Sequence, residues 1–238
     1  MKRRIGVMIP STNTTVEADF ALAARGAYTV HGQRMWLNAD GPSDFERMNR
    51  DAETGAKYLG SAKVDVVAYG CVMGSVAGGP AADRAMLATI TREARAPAVA
   101  VMPASLEALR SFGAKRISVA TPYGEDTNRT LKSYLEGQGF EVLGIAGEPT
   151  AAASGAQGIN DQAPESVEKF ASSACAPEAD ALFCACTAWR SFEVTEALEK
   201  RTGKPVVTAN GALLWATMRA LGTKAPIRGF GKLLEGTS

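Results

Sequence analysis

One pattern occurs twice in this chain, and a repeat of that kind constrains the fold before any residue is weighed alone. Arg4-Ile5-Gly6-Val7-Met8-Ile9-Pro10 corresponds to Arg116-Ile117-Ser118-Val119-Ala120-Thr121-Pro122. Each is a short apolar run closed by proline and followed by a polar loop that feeds a helical pattern. Val64-Asp65-Val66-Val67-Ala68-Tyr69-Gly70-Cys71 corresponds to Ala179-Asp180-Ala181-Leu182-Phe183-Cys184-Ala185-Cys186, with cysteine six places after aspartate in both. A third pair sets Pro97-Ala98-Val99-Ala100-Val101-Met102-Pro103 against Pro205-Val206-Val207-Thr208-Ala209-Asn210-Gly211. Proline precedes a buried strand each time.

The apolar runs alternate with amphipathic stretches, among them Ser105 to Phe112, Thr127 to Gln138 and Phe192 to Arg201. Such alternation predicts parallel sheets with helices on both faces. Gly137-Gln138-Gly139 closes a helix before a strand at Glu141 to Ile145, as C-terminal glycines do. The expected fold class is α/β, with two similar halves related by a pseudo-twofold axis, each a mostly parallel sheet flanked by helices. The first half covers residues 1–112 and the second 113–211, and a C-terminal segment, 212–238, with a helix from Ala212 to Leu221, packs back on the first half. Ligands of open parallel sheets sit beyond the carboxyl ends of the strands. Cys71 and Cys186 are both expected to end strands, which puts one thiol on each wall of a cleft between the halves.

With 238 residues, 46% hydrophobic and 21% charged, the chain can bury a full core and gives no case for disorder, collagen or a coiled coil. Lys plus Arg number 26 against 25 for Asp plus Glu, so no basic field is available to hold a nucleic acid. The positive opening Met1-Lys2-Arg3-Arg4 leads into an apolar run that stops at Pro10, short of a signal-peptide core. No apolar stretch approaches the roughly 18 residues of a membrane span. A soluble, cytoplasmic protein with no nucleic-acid or membrane partner is expected. Cys71, Cys175, Cys184 and Cys186 are too sparse for a disulfide framework and are read as thiols. With His31 the sole histidine and no Cys-x-x-Cys pair, zinc lacks ligands. His31 itself is read as a surface residue in an early polar segment, far from any strand end. Neither a Gly-x-Gly-x-x-Gly nor a Walker loop occurs, so no nucleotide cofactor has a fingerprint. No metal and no cofactor are expected.

The loop Pro10-Ser11-Thr12-Asn13-Thr14-Thr15-Val16-Glu17 offers hydroxyls, an amide and backbone N–H groups suited to a carboxylate, and Thr14 with Glu17 fits a capping box. A well-capped helix without a ligand would account for the same residues. Cys71 lies in Tyr69-Gly70-Cys71-Val72-Met73-Gly74-Ser75, where small residues let backbone N–H groups approach a ligand and a helix start would favour the thiolate. A buried structural cysteine is the ordinary alternative. The repeat weighs against it, because Cys186 in Cys184-Ala185-Cys186-Thr187-Ala188-Trp189-Arg190 occupies the equivalent place. Cys184 is read as a strand residue pointing elsewhere and as an oxidation liability, and Cys175 as helix packing.

Taken together, Arg4 to Thr15, the strand-end Cys71, Thr121-Pro122-Tyr123, Gly158-Ile159-Asn160 and Cys186-Thr187 resemble the maleate cis-trans isomerase family. That family belongs to the aspartate/glutamate racemase superfamily, with arylmalonate decarboxylase and hydantoin racemase. The resemblance covers nearly the whole chain. It implies a cofactor-free isomerisation of maleate to fumarate, with Cys71 as nucleophile and Cys186 as proton donor. It further implies substrate contacts from Asn13, the backbone at Val72 and Met73, Tyr123, Asn160, and the backbone of Thr187 and Ala188. A small dicarboxylate substrate and a homodimer follow from the same resemblance. Two departures stand out: Thr12 where a second serine is frequent, and Cys184 as an additional thiol.

The chemistry suits the residues. A cis alkene becomes trans only once the π-bond is broken, and a thiolate that adds to one carbon leaves a single bond free to rotate. Neutral donors such as Asn13, Asn160, Tyr123 and backbone N–H groups can stabilise charge developing on the adjacent carboxylate. An amino-acid racemase would use the same two thiols, but the sequence after Cys71 departs from the Cys-Asn-Thr of that branch. An arylmalonate decarboxylase would keep only the second cysteine. A non-catalytic dicarboxylate-binding protein is the alternative of a different class.

Overall fold

The computed structural model describes residues 2–39, 41–223 and 225–236. Met1, where the expected first half begins, and residues 224, 237 and 238 of the expected C-terminal segment lie outside the described residues. The first half runs β1 (Arg3–Pro10), α1 (Thr15–Ala24), β2 (Tyr28–Met35), α2 (Pro42–Ser61), β3 (Val66–Tyr69), α3 (Val72–Ala77), α4 (Gly79–Ala94), β4 (Ala98–Ala100) and α5 (Val101–Ser111). The second runs β5 (Arg116–Thr121), α6 (Glu125–Gly137), β6 (Glu141–Gly147), α7 (Pro149–Asp161), α8 (Pro164–Ser173), β7 (Ala181–Cys184), a 3-10 turn (Phe192–Val194), α9 (Thr195–Thr202) and β8 (Val206–Thr208), followed by α10 (Ala209–Ala220) and α11 (Lys232–Glu235).

Two four-stranded parallel sheets result, ordered β2-β1-β3-β4 and β6-β5-β7-β8. Adding four to each strand number turns the first order into the second, which is the internal repeat seen as topology. The inner strands are buried over most of their length, as in Gly6 to Pro10 of β1 and Ile117 to Thr121 of β5, as expected of strands covered on both faces. In α2, Phe45, Met48, Ala52, Ala56 and Leu59 are buried at helical spacing, so one stripe of an otherwise polar helix faces the sheet. The repeated aspartate has a structural task. Asp65 accepts the Arg4 N–H at 2.7 Å, and Asp180 accepts the Arg116 N–H at 2.8 Å and the Lys115 N–H at 3.0 Å, tying the first strand of each half to the third.

Several expectations are refined. β3 and β7 stop two residues before Cys71 and Cys186, so both thiols lie in the turns beyond the strands rather than at their last residues. The helix expected from Phe192 opens as a 3-10 turn, and the one expected from Ser105 begins at Val101. α10 starts three residues earlier than read and packs on α5, β3 and β4 of the first half. His31 is a partly buried residue of the edge strand β2, with its Nε2 at 2.9 Å from Thr29 Oγ1. One hydrophobic cluster spans both halves, and a smaller one around Trp189 and Val167 belongs to the second.

Candidate active site

The turn after β1 is shaped by Asn13. Its backbone N–H reaches Pro10 O at 2.9 Å, while its Oδ1 accepts from Thr15 N at 2.9 Å and Val16 N at 3.1 Å. The expected Thr14–Glu17 capping box does not form: Asn13 caps α1 in its place, and Glu17 pairs with Arg34 of β2. Arg34 also donates to Asn13 O at 2.6 Å, clamping the loop from the neighbouring strand.

Beyond β3, Gly70 N bonds Met8 O at 2.8 Å; beyond β7, Ala185 N bonds Ala120 O at 3.0 Å. The same bond in each half delivers the next residue, Cys71 or Cys186, to the end of its sheet. Cys71 is the N-cap of α3, and its Sγ accepts the Gly74 N–H at 3.2 Å. That contact is a direct stabilisation of negative charge on sulfur. Gly74 is required there, since a Cβ would run into Tyr69 Oη and lie 3.1 Å from Cys71 Sγ. Beneath it, Asn49 Nδ2 donates to Gly74 O at 3.0 Å, and Asn49 Oδ1 accepts from Tyr69 Oη. Burial raises the Tyr69 phenol well above its ordinary range, and the neighbouring Cys71 charge adds to this.

Thr187 joins the halves. Its Oγ1 donates to Gly70 O at 3.0 Å and accepts from Asn13 Nδ2 at 3.2 Å. Thr15 Oγ1 holds Ala188 O at 2.9 Å. Tyr123 is fixed by its own N–H to Thr121 Oγ1 at 3.2 Å and by Asn128 Nδ2 to its carbonyl at 3.1 Å.

These turns line one cavity of about 120 Å³. Cys71, Cys186, Asn13, Val72, Met73, Tyr123, Thr187 and Ala188 all line it. Both thiols are almost fully buried, Cys71 at 4% and Cys186 at 5% exposure. Asn160 stands apart. Its Oδ1 accepts from Thr14 N at 3.0 Å and Thr15 Oγ1 at 3.1 Å, and its Nδ2 donates to Thr12 O and Ala156 O, so the amide holds the 12–15 loop rather than facing the cavity. An apolar wall that the sequence does not single out, Leu37, Phe45, Ala152 and Ala156, joins Ile159 of the Gly158-Ile159-Asn160 motif. Nothing in their spacing distinguishes them from core residues. Cys184 is completely buried and does not line the cavity; burial drives its thiol far up, which keeps it protonated and corrects the expected oxidation liability. No charged side chain among the described residues lines the cavity, and no cluster of three or more His, Cys, Asp or Glu among them could hold a metal ion. No helix among them is long and apolar enough to cross a membrane.

The duplicated α/β fold thus brings a thiol from each half to one cavity with no charged side chain among its described lining residues, a two-thiol site. The arylmalonate decarboxylase family model matches residues 5–234, and the chain belongs to that family. A maleate isomerase from Pseudomonas putida is 31% identical over 256 residues, covering 98% of this chain and 97% of its own. The solved maleate isomerase Iso, also from Pseudomonas putida, superposes with a TM-score of 0.93 at 25% identity, covering 100% of both chains. A cysteine-to-serine variant of Nocardia farcinica maleate cis-trans isomerase with a covalently bound succinylcysteine intermediate superposes with a TM-score of 0.91 at 26% identity, again over 100% of both.

Proposed function

We propose that this chain isomerises maleate to fumarate without a cofactor. The observation that carries the reading is the pairing of Cys71 and Cys186 on one cavity whose other polar groups are neutral donors. The Cys71 thiolate adds to one alkene carbon; the π electrons move to the neighbouring carbon, which takes a proton from the Cys186 thiol. A succinyl group on Cys71 results, of the kind named in the Nocardia farcinica structure. Its central bond rotates. Cys186 then takes the proton back, the C–S bond breaks, and Cys71 leaves as thiolate with fumarate formed. Asn13, Tyr123 and the N–H groups at Val72, Met73, Thr187 and Ala188 hold the carboxylates and stabilise charge in the addition step. Asn160 supports them by holding the 12–15 loop, a role that fits its hydrogen bonds better than direct contact.

Incubation with maleate, followed by proton NMR for fumarate, tests the reading, with Cys71→Ala and Cys186→Ala as controls. No fumarate, or full activity in Cys71→Ala, overturns it. The family description favours decarboxylation as the second reading; carbon dioxide release from an arylmalonate would select it. We read residues 1–112 and 113–211 as the two structural units, with the C-terminal segment attached to the first, and the working form as a cytoplasmic homodimer. Light scattering tests the last.

A further inference from the structure

We propose that Asp19 and Asn210 are a positioning pair that fixes the Thr187–Ala188 peptide, the second-half wall against which a substrate carboxylate is held. The inference rests on the reading of that wall as a carboxylate site. Asn210, in the first turn of α10, gives one Nδ2 hydrogen to Asp19 Oδ2 at 2.6 Å and another to Thr187 O at 2.9 Å. In a trans peptide the carbonyl and the following N–H point opposite ways. Anchoring Thr187 O on the α1–α10 side therefore turns the Ala188 N–H away from it.

Three observations separate this pair from ordinary packing. Asp19 and Asn210 are each only 2% exposed, and Asn210 Oδ1 is buried with no hydrogen-bond partner among the described residues. Such an orphan acceptor is costly to bury, so the asparagine is poorly explained by stability. Second, the repeat provides an internal control. Nine residues after the strand-closing proline, the first half has Asp19 where the second has Leu131; five residues after the other repeated proline, the second half has Asn210 where the first has Met102. Leu131 and Met102 are fully buried and apolar, so the architecture does not demand a polar residue at either place. Third, burial pushes the Asp19 carboxyl up to about 8, with the Asn210 hydrogen bond opposing the shift and Glu193 and Arg190 adding smaller, opposite effects. Near neutral pH the pair is thus a neutral acid against an amide, which positions a peptide without placing a net charge beside the cavity.

The test copies the apolar pair of the opposite half: Asp19→Leu combined with Asn210→Met. Binding of succinate, a diacid without an alkene, is measured by calorimetry beside maleate turnover. We expect the melting temperature to hold or rise, since apolar replacement of a buried polar pair is often neutral or stabilising. Succinate affinity and kcat/KM are expected to fall by about tenfold or more, as small misplacements of binding groups do. Succinate binding within about twofold of wild type overturns the proposal. If the wild type binds succinate but forms no fumarate, weakened binding in the double variant still supports the pair while the isomerase reading fails. If the double variant does not fold, Asn210→Leu is read by hydrogen exchange. Faster exchange at residues 187–189, with 213–218 unchanged, supports positioning; equal acceleration of both segments overturns it.

Discussion

The Thr187 hydroxyl donates to the Gly70 carbonyl at 3.0 Å, bonding the residue after the second-half cysteine to the residue before the first-half cysteine. This buried side chain therefore contributes directly to the registration of the two thiols. Thr187→Val keeps the shape but strands Gly70 O and removes the acceptor of Asn13 Nδ2. A loss of about 1–3 kcal/mol in urea unfolding is expected, with maleate turnover reduced by about tenfold or more. Unchanged turnover in a destabilised variant would show that the bond serves folding alone.

Cys186→Ser separates the two thiols by role. Removal of the proton-transfer partner should leave the addition step available, so intact mass spectrometry after maleate treatment is expected to show one covalent adduct, mapped to Cys71. Turnover should fall by on the order of a thousandfold, as for loss of a catalytic acid or nucleophile. An adduct mapped to any other cysteine would contradict the assignment.

Gly74→Ala places a methyl group against Tyr69 Oη and 3.0 Å from the Met48 side chain. Overpacking of this sort costs about 1–3 kcal/mol. The same displacement withdraws the Gly74 N–H from Cys71 Sγ, so the rate of alkylation by iodoacetamide should drop along with turnover. Differential scanning calorimetry and alkylation kinetics check the two halves of this prediction.

Two carboxyl groups should give stability opposite pH slopes. Backbone N–H groups of Arg116 and Lys115 hold Asp180 at about 2, below its ordinary 3.8. Its contribution is present above pH 3.8 and is lost as pH falls toward 2. Asp19 is raised, so the native state keeps a proton that the unfolded chain has released, and stability declines as pH rises from 3.8 to about 8, then levels. Asp19→Asn should flatten the decline in melting temperature across this upper window, whereas Asp180→Asn should flatten only the acid limb. An unaltered slope in Asp19→Asn would contradict its raised value.

The repeat made the two α/β halves and the equivalence of Cys71 and Cys186 legible, because strand patterning and a fixed aspartate-to-cysteine spacing are written in local sequence, whereas the strand order within each sheet is set by long-range pairing. Even the repeated aspartate proved to be structural, holding the first strand of each half. Contacts between distant segments were not legible. Phe45 enters the cavity from the start of α2, and Ile159 from α7, through packing that no short-range period encodes. Asn160 illustrates the same limit: its motif located it beside the site, but its side-chain direction depends on the loop at 12–15. The cap of α1 shifted from Thr14 to Asn13 because Arg34 on the adjacent strand draws Glu17 away.

A cavity lined by no charged side chain among the described residues has a consequence for how the proposed reactant and product would come and go. Maleate and fumarate are both dianions, and a fixed cation would retain the product as firmly as it captured the reactant. In the proposed reaction, neutral dipoles that fit one geometry would loosen when the carboxylates swing apart, which would ease departure. The Michaelis constant should accordingly change little with ionic strength, since no exposed ion pair is there for salt to screen.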